Sequence, residues 1–261
     1  MILVIFGILL LLAGGAGIVF GLAYDFSALP DTSFLAGLGE NASLAFLVVG
    51  VTFAVVGLLM LMLGLTRKTK VTALQLAESA LMLAIATVLS ELLKIPSPLG
   101  GGLTFLSMLP IIVISHRYGA GWGLFTAFVY SLIQMIFGLK NIGYATGAVM
   151  AIGVMFLDYM LAYTVLGLSG IFGKSRAAVA VGIAVTFTLR FACHLVAGAW
   201  IWREWMPDEY MGMAMTNPWI YSALYNGWYM LAELVITMIV AMLIYKPLEK
   251  YFRGAPLKKA A

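Results

Sequence analysis

Long apolar stretches broken by short polar punctuation run the length of this chain. Counted as runs, they predict helices over roughly 1–23, 43–65, 72–94, 103–116, 121–138, 143–171, 177–201 and 219–246. At about 1.5 Å of rise per residue, most of these reach the ~30 Å needed to cross a hydrocarbon layer. The 103–116 run is short, so it is either extended by its flanks or partly shielded by neighbouring helices. The first run is expected to be a retained helix and not a cleaved leader. It has no basic start, and Ala13-Gly14-Gly15-Ala16 lies inside the apolar stretch.

Composition narrows the class. Hydrophobic residues make up 63% of the 261 positions and charged residues 10%, against about a quarter charged in a soluble domain. Mean hydropathy is +1.06. A soluble globule could not hide that much apolar surface, which excludes a soluble enzyme, a disordered chain and a disulfide scaffold. The single cysteine, Cys193, forms no internal bridge and no redox pair. What remains is an all-α polytopic membrane protein. Eleven of the fifteen basic residues fall in alternate loops and at the C-terminal end: Arg67, Lys68 and Lys70; Arg117; Lys174 and Arg176; Lys246, Lys250, Arg253, Lys258 and Lys259. The intervening loops carry Asp25, Asp31 and Glu40, then Glu204, Asp208 and Glu209, with Arg203 alone against them. The positive-inside rule makes the basic side cytoplasmic, so a multi-pass cell-membrane protein with both termini cytoplasmic is expected. The same asymmetry accounts for the net charge of +4 without a nucleic-acid partner.

The chain divides in two. Residues 1–66 read as an appended N-terminal transmembrane hairpin with no ionisable residue in either span. A basic cytoplasmic linker, 67–71, leads to a bundle over 72–253 that holds every intramembrane charge, followed by a tail at 254–261. There is no convincing internal repeat.

Ionisable groups inside a bilayer are costly unless paired or wet, so each marks a candidate site. Asp158 falls near mid-bilayer. Arg190 and His194, four apart, share one helix face, and Asn226 and Glu233, seven apart, share another. A structural ion pair, Arg190 with Glu233 or with Asp158, is one reading of these stripes; for Asp158 a ligand site is favoured. Around them lie Trp200, Trp202, Trp205, Tyr210, Trp219, Tyr221, Tyr225, Asn226, Trp228 and Tyr229. About half of these are expected to face lipid as an interfacial belt. The inward-facing remainder, beside a carboxylate, would suit a flat organic cation. Ala73, Ala77, Ala80 and Ala84 line one side of the third helix at a spacing that allows close helix approach. Gly173-Lys174-Ser175 lacks the upstream glycine of a phosphate-binding loop. No zinc or other metal site, catalytic arrangement or bound cofactor is expected.

Particular segments are similar to a known family over residues 73–252. They are Glu78-Ser-Ala-Leu-Met-Leu-Ala84, Ser107-Met-Leu-Pro-Ile111, His116-Arg-Tyr-Gly119, Leu157-Asp-Tyr-Met-Leu-Ala162 and Leu166-Gly-Leu-Ser-Gly170. Most specific are Arg190-Phe-Ala-Cys-His-Leu-Val-Ala-Gly198 and Tyr221-Ser-Ala-Leu-Tyr-Asn-Gly227. Together they resemble the thiamine-specific S component, the substrate-binding subunit, of energy-coupling-factor (ECF) transporters. The resemblance implies a six-helix S-component bundle, preceded here by the extra two-helix hairpin, which lies outside the family pattern. It implies capture of thiamine from outside for an ATP-driven vitamin importer, with a membrane-embedded coupling protein and ATPase subunits as partners. Carried over by position, the substrate residues are Asp158, Tyr159, His194, Trp202, Tyr221 and Asn226, with Tyr144 for a tyrosine expected ahead of Asp158. Ala80 and Ala84 take the places that pack on the coupling protein. Two departures stand out. The acidic position, which can be Glu in the family, is the shorter Asp158. A loop tryptophan expected before Ser107 is missing from Pro98-Leu-Gly-Gly-Gly-Leu-Thr-Phe105, where Phe105 is a candidate substitute and the glycines a candidate outer gate. The alternatives are an S component for another vitamin or a thiamine precursor, or a non-transporting membrane scaffold or sensor.

Overall fold

The computed structural model describes residues 2–23, 71–97, 102–138 and 148–255, together with positions 46, 50, 53, 54, 56, 57, 60, 61, 64, 141, 144 and 146. Helix α1 (Ile2–Ala23) is apolar throughout, and all nine described positions between 46 and 64 are helical. The 43–65 span as a whole, the basic residues of the linker, the Gly100-Gly101 stretch and the tail beyond 255 lie outside the described residues. Close approach joins the first two segments. A Cβ added at Gly7 or Gly14 would strike the backbone of Leu61 or Ala54, and one at Gly50 or Gly57 would strike Ile18 or Leu11.

Helix α2 (Ala73–Leu92) starts where Thr72 accepts a hydrogen bond from the Gln75 amide, satisfying one of the first-turn donors. Strands β1 (Lys94–Pro96) and β2 (Gly102–Thr104) pair antiparallel, with Ile95 opposite Leu103. Next come α3 (Leu109–Tyr118) and α4 (Ala120–Phe137), separated by Gly119 at φ 86°. The helical run 148–172, α5, changes pitch repeatedly: α over Ala148–Gly153, π over Val154–Leu161, α over Ala162–Thr164 and 3-10 over Val165–Phe172. The run 176–205, α6, is α over Arg176–Val196, π over Ala197–Ile201 and 3-10 over Trp202–Trp205. A two-residue pairing of β3 (Glu209–Tyr210) with β4 (Met213–Ala214) precedes α7 (Pro218–Tyr245). The short α8 is Glu249–Phe252. Ser175 and Asn217 cap α6 and α7 by accepting from the Ala178 and Trp219 amides.

Six helices among the described residues are long and apolar enough to cross a membrane: α1, α2, α4, α5, α6 and α7. The 103–116 run is not one of them. Its helix is only ten residues, about half a crossing at 1.5 Å per residue, and shielding by neighbours is how it is accommodated. Every residue from Leu109 to Arg117 is buried. The described non-helical backbone just before it, 102–108, is buried or partly buried among its neighbours. Within the 143–171 run, Tyr144 and Thr146 lie outside any helix, and the described helix runs from Ala148.

Packing is uneven along the bundle axis. The end bearing Arg117, Lys174 and Lys246 is filled by Ile111, Ile112, Val179, Ile183, Ala241, Tyr245 and Phe252. It is closed by a polar clasp. Glu78 accepts from both the Nε and an Nη of Arg117 and from the hydroxyls of Tyr118 and Tyr251. Arg117 also lies over the Tyr251 ring, 4.0 Å from its centre. Burial, then the bond to Glu78, pushes the Tyr251 phenol well above its usual pKa. The opposite end stays open.

Candidate binding site

The open end holds a cavity of about 300 Å³, at the small end of the range for small-molecule sites. It lies between the C-terminal turns of α2 and α4, the first half of α5, the last turns of α6 and the start of α7. The π segments of α5 and α6 both lie at its wall. In α5 the π turn puts Val154, Asp158 and Tyr159 on the cavity, and in α6 the π segment leads to Trp202. Such turns insert an extra residue per turn and are frequent at functional sites.

Asp158 sits at the centre of the polar groups. Its Oδ1 is 2.9 Å from His194 Nδ1, and its Oδ2 accepts from Trp202 Nε1 at 2.7 Å. A carboxylate only accepts, so the ring proton of His194 belongs on Nδ1. Its buried Nε2 has no partner among the described residues. Two bonds leave Asp158 spare lone pairs, since two oxygens carry about four acceptor sites. The bond to Trp202 also fixes the plane of the indole.

Behind His194, the start of α7 is tied to α6. Ser222 Oγ donates to the Leu195 carbonyl at 2.9 Å, and Asn226 Nδ2 donates to the His194 carbonyl at 3.3 Å. Tyr229 donates to Asn226 Oδ1 at 2.6 Å. Gly198 permits this approach, because a Cβ there would run into the Ser222 side chain. Tyr221, 4% exposed, packs at a tilt against Tyr225 and edge-on to Tyr210, with ring centres 5.6 and 5.5 Å away. Burial, then the neighbouring Tyr225, holds the Tyr210 phenol above its usual pKa. On the other wall, Tyr159 donates to the Gly138 carbonyl and accepts from Asn141 Nδ2 at 3.1 Å.

Arg190 and Glu233 form a buried pair at 2.7 Å. Glu233 does more than balance the guanidinium: its other oxygen accepts from the Thr104 amide at 2.7 Å and the Thr104 hydroxyl at 2.6 Å. It thereby satisfies a backbone N–H that lies outside any helix. Arg190 also lies over Tyr163, 5.1 Å from the ring centre, and lines the cavity. Its Nε has no hydrogen-bond partner among the described residues.

Of the substrate residues expected from the sequence, Asp158, Tyr159, His194, Trp202, Tyr221 and Asn226 all line this cavity, and Tyr144 does not. The helix starts at Ala148, so Tyr144 stays on the preceding segment, half exposed, with its ring edge-on to Trp205 at 5.8 Å. The pairing left open for Arg190 goes to Glu233, and Asp158 takes His194 instead. Phe105 packs beside Leu103, Tyr229 and Met230 and is not on the cavity wall. Among the aromatic cluster, Trp202, Trp205, Tyr221, Tyr225 and Tyr229 line the cavity, while Trp200, Trp219 and Trp228 are exposed on the outside. Ala80 and Ala84 stand exposed on α2. Ser90, Glu91, Lys94, Gln134, Asn141 and Tyr163 also line the cavity but were not singled out from the sequence. Ser90 and Gln134 were the readable signal, two amide- and hydroxyl-bearing side chains in apolar helices, joined here at 2.7 Å. No group of three or more His, Cys, Asp or Glu side chains among the described residues could hold a metal ion.

Residues 76–253 match the family model described as thiamine transporter protein (Thia_YuaJ). The chain is 31% identical over 186 residues to the thiamine transporter ThiT of Bacillus subtilis, covering 66% of this chain and 90% of that protein. It is 28% identical over 178 residues to the thiamine transporter ThiT of Lacticaseibacillus paracasei, covering 62% and 82%. A solved structure of ThiT from Listeria monocytogenes is similar with a TM-score of 0.55 at 23% identity, covering 69% of this chain and 97% of that one, a likeness of fold.

Proposed function

The chain belongs to the thiamine transporter protein family, and from that premise we propose that it captures thiamine at the outer face of the cell membrane as the S component of an ECF importer. The observation that carries this reading is a carboxylate, Asp158, held by His194 and Trp202 in the wall of an aromatic-lined cavity. Thiamine is a flat cation joined to an aminopyrimidine. Asp158 offsets the thiazolium charge, the rings of Trp202 and Tyr221 stack on the ligand, and His194 Nε2 takes up a polar group on its edge. Tyr159 and Asn226 complete the wall, each braced by its own hydrogen bonds.

Loop charge supports the orientation. The cavity opens at the end away from Arg117, Lys174, Arg176, Lys246 and Lys250, the side the positive-inside rule assigns to the cytoplasm. Both termini are then cytoplasmic, the hairpin at 1–66 is an appendage to the bundle at 72–253, and the exposed Ala80 and Ala84 lie on a lipid-facing surface of α2. That surface is the docking face for a coupling protein whose ATPase partners drive transport. Titration of the purified chain with thiamine, followed by tryptophan fluorescence, tests the capture step: saturable quenching through Trp202 is expected, and an unchanged signal with no heat of binding overturns it. Uptake into proteoliposomes only when coupling and ATPase subunits are present tests the rest.

A further inference from the structure

The N-terminal hairpin lies outside the family match, which begins at residue 76, yet it is seated against the back of the binding-site helix. Phe53 meets Phe156 edge-on with ring centres 6.0 Å apart. Phe6 meets Phe125 of α4 in the same way at 5.2 Å. Leu10 and Met60 form a buried cluster with Leu124 and Phe128, and Phe53, Val56, Met160 and Leu168 pack around it. Phe156 and Met160 flank Asp158 by two residues on either side, within the same π segment. One face of that segment therefore carries Val154, Asp158 and Tyr159 to the cavity, while the other is held by the hairpin.

We propose that the hairpin is a buttress for the π segment Val154–Leu161, and that Phe53 and Val56 are positioning residues for Asp158. A π segment lacks the regular i→i−4 ladder and is a weak point in a helix. Its geometry has to be imposed by what packs on both sides, and on the outer side that is the hairpin. Small residues explain how the hairpin holds its own shape while doing so, since Gly7, Gly14, Gly50 and Gly57 let its two helices touch backbone to backbone. This role rests on the thiamine reading only for its ligand; the mechanical part stands on the contacts. It also leaves Ala80 and Ala84 of α2 exposed, so buttressing and docking of a coupling protein are compatible.

The test uses the full-length chain in lipid nanodiscs, comparing Phe53→Ala and Val56→Ala with Ile8→Ala and Leu12→Ala, which alter exposed positions of α1. Thiamine affinity and release are read by tryptophan fluorescence, and local opening by amide hydrogen exchange over 154–161. In Phe53→Ala, affinity should fall roughly three- to tenfold, mostly through faster release. Exchange over 154–161 should rise more than in α7. The two α1 controls should match wild type, and Phe53→Leu should recover part of the loss. Unchanged affinity and exchange in folded Phe53→Ala and Val56→Ala would overturn the buttress, as would exchange that rises evenly across the bundle. Should wild type fail to bind thiamine, the functional reading falls while exchange still decides the buttress. If Phe53→Ala does not fold, Val56→Ala and Phe53→Leu give the same readings.

Discussion

Replacing Asp158 with asparagine keeps the side chain's volume and removes its charge, and the structure sets the size of the effect. A unit charge about 4 Å from a carboxylate is worth ~4 kcal/mol at an effective dielectric near 20. The Asp158 side chain keeps 15% of its surface exposed, and the ligand's charge is spread over a ring, so the realised difference lies at ~2–4 kcal/mol. That is a loss of roughly 30- to 1,000-fold in affinity. A second consequence comes from the two bonds already in place. Asparagine offers one accepting oxygen, so only one of the two donors, His194 Nδ1–H or Trp202 Nε1–H, keeps its acceptor; that loss, about 1 kcal/mol, falls on free and bound protein alike and is read as a lower thermal midpoint. The two effects separate by calorimetry with two ligands. Thiamine should suffer the full loss, whereas its uncharged hydroxymethyl-aminopyrimidine half should keep its affinity within about twofold. Equal losses for both would refute the charge argument and leave Asp158 as a scaffold for Trp202; no loss for either would remove it from the site.

Trp202→Phe keeps a ring but deletes the donor to Asp158, and should weaken thiamine binding by about tenfold; Tyr221→Ala, which removes the ring packed between Tyr210 and Tyr225, should do the same by titration. Glu233→Ala leaves the Arg190 guanidinium uncompensated and the Thr104 amide without its acceptor, a loss of about 3–5 kcal/mol read as a large drop in thermal midpoint in detergent. The double change Arg190→Met with Glu233→Leu should be milder than Glu233→Ala, because no buried charge is stranded. Ala80→Trp should leave thiamine titration unchanged while abolishing co-purification with a coupling protein; retained co-purification would remove α2 from that interface.

Helix positions were largely legible because bilayer crossing forces long apolar runs, and α2, α4, α6 and α7 fall where those runs lie. Exceptions occur where backbone polar groups find partners other than a regular ladder. The 103–116 run shortens to α3 because Glu233, 129 residues away, satisfies the Thr104 amide. Tyr144 and Thr146, which lie outside any helix, cannot be told from helical positions by hydropathy, so the position of Tyr144 off the cavity wall was not legible in the sequence.

By itself the sequence determined the class, the side on which charge collects, and the residues able to face a cation, since apolar length, loop charge and buried ionisable groups are local properties. Only the tertiary structure decided who pairs with whom. That Asp158 belongs to His194 and Trp202 while Arg190 belongs to Glu233 depends on helix rotation, and the π turns in α5 and α6 shift that rotation by a residue that no hydropathy period records. The hairpin's grip on Phe156 is likewise a contact between segments about a hundred residues apart, set by packing and invisible to any window along the chain.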